Sequence, residues 1–150
     1  MDLLIAQKDN IFHLKGVINE FAKFNQLFEF TGSEMLLNLK EIRRINSTGV
    51  RELINAIEKV DHRIDMIFEE CPPIVVYQMA MIPNFTLRVK VTSVYAPYYC
   101  PECDHQEEIL IDMANFNLEQ SLPEEVCKKC GAELEFDDDE ESYFYFMEHA

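Results

Sequence analysis

Four of the five cysteines fall into two pairs of one spacing, Cys100-Pro101-Glu102-Cys103 and Cys127-Lys128-Lys129-Cys130. Two intervening residues place both sulfurs of a pair on one tight turn, and 23 residues separate the inner members. Two such turns can supply four thiolates at the corners of a tetrahedron, the donor set of a structural zinc site. Gly131 follows the second pair, where a knuckle needs positive φ, and Asp104 holds the same place after the first. Four thiolates leave no open position for a catalytic metal, so the expected role of the ion is to hold the fold. Ligand type alone does not separate zinc from iron. His105, two residues past Cys103, is a weaker candidate because four sulfurs already complete the set. Disulfides need an oxidising compartment, and a thioredoxin-type pair needs a helix N-terminus, whereas Cys100 follows a strand-like run. Cys71, between Glu70 and Pro72, reads as a small apolar residue at a strand end.

A second cluster is Asn46-Ser47-Thr48-Gly49. Asn, Ser and Thr are good helix N-caps because their side-chain oxygens accept the free amides of the first turn. A hydroxyl there also faces the positive end of the helix dipole, which would favour an added phosphate.

These residues need a scaffold, and the rest of the chain predicts one. Ile11–Lys15 reads as a short strand ending at Gly16, and Met35–Leu39 as an apolar run of the kind found in buried strands. Val50, Leu53, Ile54, Ile57 and Val60 recur at helical spacing. Ile64–Phe68 is a second inner strand, and Pro72-Pro73 opens a helix over Ile74–Met81 that ends at Pro83. After Phe85 the pattern turns to strand: Leu87–Thr92 alternates at period two, and Glu108–Met113 and Ser142–Met147 are rich in β-branched or aromatic residues. The expected organisation is an α/β (α+β) domain over residues 1–86 and a small all-β zinc ribbon over residues 87–150.

Charge divides at nearly the same place. The 150 residues carry a formal net charge of −15, and residues 91–150 hold sixteen Asp and Glu against Lys128 and Lys129 alone. Phosphate neutralisation needs clustered Lys and Arg, so nucleic acid is excluded as a partner of that half. No apolar run approaches the ~18 residues that span a bilayer. Met1–Lys8 lacks the basic and apolar regions of a secretion signal. A soluble cytoplasmic protein without a membrane partner is expected.

The order of elements over residues 3–86 resembles the STAS domain, the family of sulfate transporters and anti-sigma factor antagonists. In that family a strand such as Met35–Leu39 leads to an Asp-Ser-Ser-Gly-type turn and a helix. Asn46-Ser47-Thr48-Gly49 falls on that turn, with Val50 and Leu53 at the apolar helix positions after it. Ile11–Gly16 is similar to the second strand, and Ile64–Phe68 with Pro72–Phe85 to the fourth strand and third helix. The stretch from Ile18 to Met35 leaves room for a small first helix around Glu20–Phe28. The resemblance implies a mixed sheet with helices on one side. It also implies a bacterial regulatory role in which Ser47 is phosphorylated by a partner, a kinase-type anti-sigma factor. Asn46 stands where that family carries an acidic residue. Arg43 and Arg44 are available to pair with a phosphate on Ser47.

No nucleophile–base pair and no open metal site are legible, so an enzyme is not expected. His13, His62 and His149 lack neighbours that suggest catalysis. Asp137–Glu141 lacks the spaced ligands of a calcium loop and reads as a solvated turn between two strands. Tyr143–Met147 and the tyrosines Tyr95, Tyr98 and Tyr99 read as packing residues. The function expected is therefore a regulatory protein–protein interaction module with a structural zinc. The competing expectation is a constitutive scaffold or assembly protein without a switch.

Overall fold

A computed structural model of the protein describes residues 2–116 and 122–148, so His149 lies outside the described residues. Two sheets carry the fold. The first has five strands in spatial order: β1 (Leu4–Lys8), β2 (Ile11–Ile18), β3 (Glu34–Ile45), β4 (Asp65–Glu69) and β5 (Val89–Val91). β1 and β2 form an antiparallel hairpin, and β2 through β5 run parallel. A 3-10 turn at Asn25–Glu29 links β2 to β3, α1 (Ser47–Lys59) links β3 to β4, and α2 (Pro73–Met81) links β4 towards β5. Every parallel connection steps one strand in the same direction, so right-handed crossovers put all three on one face. Burial follows: Phe12, Leu37 and Phe68, one row across three strands, are fully buried. The neighbouring row of opposite facing, Ile11, Leu36 and Ile67, is half-buried.

α1 buries Val50, Leu53, Ala56 and Ile57 and exposes Arg51, Asn55, Glu58 and Lys59. Its C-terminal carbonyls are satisfied from a distance in sequence. The Arg88 guanidinium donates to the carbonyls of Ile57, Val60 (2.8 Å) and Asp61 (2.6 Å). A cation at that end also complements the helix dipole.

The second sheet is antiparallel, in the order β7 (Gln106–Asp112), β6 (Ser93–Tyr99), β8 (Glu135–Phe136). It joins the first at Cys71, whose amide donates to the Ser93 carbonyl at 3.1 Å and whose carbonyl accepts from the Tyr95 amide at 2.8 Å. Beyond that bridge the same edge of β6 is closed by side chain and loop. The Tyr143 hydroxyl donates to the Tyr95 carbonyl, and the Asp137 amide to the Pro97 carbonyl at 2.8 Å. Pro97 sits in the central strand at the one residue between these two where no partner needs an N–H. One continuous core results, running from Phe12 through Cys71 and Val94 to Phe146.

The structure departs from the sequence reading in definite places. β2 passes through Gly16, which takes φ +111°, and continues to Ile18. β3 runs on to Ile45, with register shifts against β2 that hide its alternation. The expected first helix at Glu20–Phe28 is only the 3-10 turn at Asn25–Glu29. The strand expected over Leu87–Thr92 is β5, and it pairs with β4 in the first sheet.

Ser142–Met147 is not a strand. It forms α3 (Glu140–Tyr143) and α4 (Tyr145–Glu148), so this half is not all-β. Asp139 caps α3, accepting from the Ser142 amide at 3.1 Å, and Glu140 and Glu141 lie in its first turn. Capping and dipole outweigh β propensity there, and Tyr143, Phe144 and Phe146 are buried together, which alternation would forbid. The acidic run accordingly links a strand to a helix rather than two strands.

Candidate functional site

Each cysteine pair occupies a knuckle built the same way. In the first, the Cys100 amide donates to the His105 carbonyl (2.8 Å) and the Asp104 amide to the Cys100 carbonyl (2.9 Å). In the second, the Cys127 amide donates to the Ala132 carbonyl (2.7 Å) and the Gly131 amide to the Cys127 carbonyl (2.9 Å). β6 delivers the first knuckle, whose return strand is β7. The second sits just before β8, held by pairing of Val126 with Glu133.

The two knuckles meet. All four sulfurs, of Cys100, Cys103, Cys127 and Cys130, lie within 4.8 Å of one another, and none is in a disulfide. Sγ of Cys100 is 3.5 Å from that of Cys130, and Sγ of Cys103 is 3.6 Å from that of Cys127. A tetrahedral ion with ~2.3 Å bonds to sulfur sets its ligands about 3.8 Å apart, so the cluster has the dimensions of a metal site. Cys100 and Cys127 are buried, while Cys103 and Cys130 are exposed, which gives an ion a way in. Burial opposes ionisation of Cys127, but the amides of Cys130 and Lys129 and the neighbouring thiols outweigh it and bring its thiol down to about 6. Lys128 and Lys129, the only lysines of residues 91–150, which hold no arginine, lie between the two cysteines of the second knuckle.

His105 is not brought into the cluster as a ligand. Its Nε2 is 3.0 Å from Glu107 Oε1, and the same oxygen accepts the Lys128 amide at 3.4 Å. Glu107 therefore ties one knuckle to the other, a role its sequence position did not signal. Cys71 lies outside the cluster and is fully buried; burial and the nearby Glu69 push its thiol well above the usual range.

The Asn46-Ser47-Thr48-Gly49 segment opens α1. Asn46 is the N-cap: its Oδ1 accepts the Gly49 amide at 2.7 Å, and its Nδ2 lies 3.3 Å from Glu20 Oε2. Ser47 and Thr48 are exposed in the first turn, and Gly49 is buried. A Cβ on Gly49 would stand 2.1 Å from the Ile18 carbonyl oxygen, so the helix start lies directly on the end of β2. An open groove of about 480 Å³ runs beside this turn, lined by Val17, Asn19, Arg43, Arg44, Asn46 and Ile74.

One polar cluster escaped the sequence reading. Asn38, buried in β3, donates from Nδ2 to Glu69 (2.9 Å) and to Glu70, and the Tyr95 hydroxyl donates to Glu70 at 3.0 Å. Glu70 holds φ +51°, and its amide donates to Ser93 Oγ at 2.8 Å. The signal was a lone Asn inside the apolar run Met35–Leu39.

No family model, no curated protein and no solved structure matches this chain. Its structure shows a mixed sheet with helices, a second antiparallel sheet and a four-cysteine cluster with the dimensions of a metal site. Among the described residues, no helix is long and apolar enough to cross a membrane.

Proposed function

We propose that the chain is a regulatory protein–protein interaction module of the anti-sigma factor antagonist kind, without catalysis of its own and with a structural zinc at Cys100, Cys103, Cys127 and Cys130. The observation that carries the reading is Ser47: an exposed hydroxyl in the first turn of α1, beside a groove that Arg43 and Arg44 line. A phosphate there adds about −1.5 to −2 charge where the helix dipole and two guanidiniums would receive it. On the STAS resemblance, the proposed partner is an anti-sigma factor-type kinase in a bacterial cytoplasm. Four thiolates with no open position suit a structural ion, which this reading takes to be zinc.

Affinity purification of the full chain from its native cell tests this, with wild type, Ser47→Ala and Ser47→Asp compared. The expected result is a protein retained by wild type and Ser47→Ala and lost with Ser47→Asp, and a one-phosphate mass increase that Ser47→Ala abolishes. Retention by all three, with no mass increase, removes the switch.

A specific observation favours a second reading, a constitutive scaffold. Asn46 holds the place of the family's acidic residue, yet its Nδ2 brings Glu20 to the turn. That carboxylate would repel a phosphate on Ser47. This reading predicts partner binding indifferent to Ser47→Asp.

A further inference from the structure

The second sheet has one covered and one open face. Val94, Ala96, Tyr98 and Ile111 point into the core. Their alternates are Ser93, Tyr95, Pro97 and Tyr99 on β6, which are half-buried, and Gln106, Glu108, Leu110 and Asp112 on β7, which are exposed. Leu110 alone is 48% exposed. Aromatic and apolar groups thus form a stripe, and every charged residue of the three strands on that face (Glu108, Asp112 and Glu135) is acidic.

The tyrosines are fixed as ring platforms. Tyr99 donates its hydroxyl to Glu135 at 2.6 Å and Tyr95 donates to Glu70 at 3.0 Å, so neither ring can swing away. A cation already uses one of them: the Lys40 ammonium lies 6.0 Å from the centroid of the Tyr95 ring. A ring face next to carboxylates attracts a cation twice, through its quadrupole and through charge.

We propose that this open face of β6, β7 and β8 is a docking surface for a Lys- or Arg-rich segment of a partner protein, with Tyr99 and Leu110 as its apolar floor and Glu108 and Asp112 as its charged wall. The inference rests on the docking-module reading but not on Ser47, and its test leaves Ser47 untouched. The mixture of aromatic floor and acidic wall separates it from the generic pull of the acidic run Asp137–Glu141, which any polycation would feel.

Titration of a fluorescent octa-arginine peptide into the full metal-loaded chain at low ionic strength decides it. Glu108→Gln with Asp112→Asn should weaken binding about tenfold. Glu140→Gln with Glu141→Gln removes the same charge outside the face and should weaken it less than about twofold. Tyr99→Leu should cost about threefold, whereas Tyr99→Phe, which keeps the ring and gives up only its tether to Glu135, should cost less than about twofold. Absence of binding, equal weakening by the two double variants, or no effect of Tyr99→Leu overturns the proposal.

Discussion

Asp104 and Gly131 hold equivalent positions in the two knuckles. Each donates its amide to the carbonyl of the first cysteine of its pair at 2.9 Å, with φ +62° at Asp104 and +78° at Gly131. The knuckle demands left-handed backbone at this point, and only glycine adopts it without cost.

Replacement should therefore act in opposite directions at the two sites. A Cβ at Gly131 meets nothing within 4 Å, so Gly131→Ala costs backbone strain alone, about 1 kcal/mol, while Asp104→Gly should gain up to about 1 kcal/mol. Thermal melts of the metal-loaded protein should show the first variant lower and the second higher than wild type. The same sign for both would mean that the knuckles are not equivalent.

Metal removal should divide the cysteines four to one. The cluster sulfurs lie at metal-site distances from one another, whereas Cys71 is buried in the core. Titration with a thiol reagent should find no fast thiol in the loaded protein, four after chelation, and the fifth only on denaturation. Metal retention should also fall as the pH drops, because each liganding thiolate released is taken by a proton. A fast fifth thiol in the native chelated protein would contradict the packing of Cys71 between the two sheets.

Arg88 offers a test of how α1 is finished. Its guanidinium serves carbonyls of Ile57, Val60, Asp61 and Ile64; those of Ile57 and Asp61 also accept the backbone amides of Val60 and Ile64. Arg88→Ala removes the donor to the Val60 and Ile64 carbonyls and should cost about 1–3 kcal/mol, charge-assisted hydrogen bonds being worth more than neutral ones. Arg88→Lys should recover only part, since one ammonium cannot reproduce the spread of the fork. Urea denaturation midpoints measure both.

What could be read from the chain was local. The cysteine pairs announce their knuckles because two residues of spacing leave the sulfurs little choice, and Asn46 announces its cap because its side chain acts on an amide three residues away. The helix over Ser47–Lys59 was legible for the same reason: its apolar stripe repeats within one element. Arg88, Glu107 and the Asn38–Glu70–Tyr95 cluster were not legible, because their partners lie 21 to 32 positions away. Ser142–Met147 reads as strand because aromatic content favours β, while the cap that decides the matter belongs to Asp139, in a run that reads as solvated charge. The length of β3 was hidden by its irregular register against β2, which breaks the alternation that would have revealed it.

Gly49 sets two effects against each other in one substitution. Helix propensity alone says that Gly49→Ala inside the first turn of α1 should stabilise by about 1 kcal/mol. Sterics say otherwise: the new Cβ would lie 2.1 Å from the Ile18 carbonyl oxygen, 2.4 Å from its carbon and 2.7 Å from the Asn19 amide nitrogen. All three are backbone atoms at the end of β2, and that same carbonyl accepts the Asn46 amide at 3.2 Å, so neither partner can step aside without breaking the cap. Overpacking against rigid neighbours costs about 1–3 kcal/mol and exceeds the propensity gain. Gly49→Ala should therefore lower stability by about 1–2 kcal/mol in urea denaturation, and Asn55→Ala on the exposed face of the same helix should raise it by a few tenths. Stabilisation by Gly49→Ala would mean that α1 does not begin against β2, and the position of Ser47 would have to be redrawn with it.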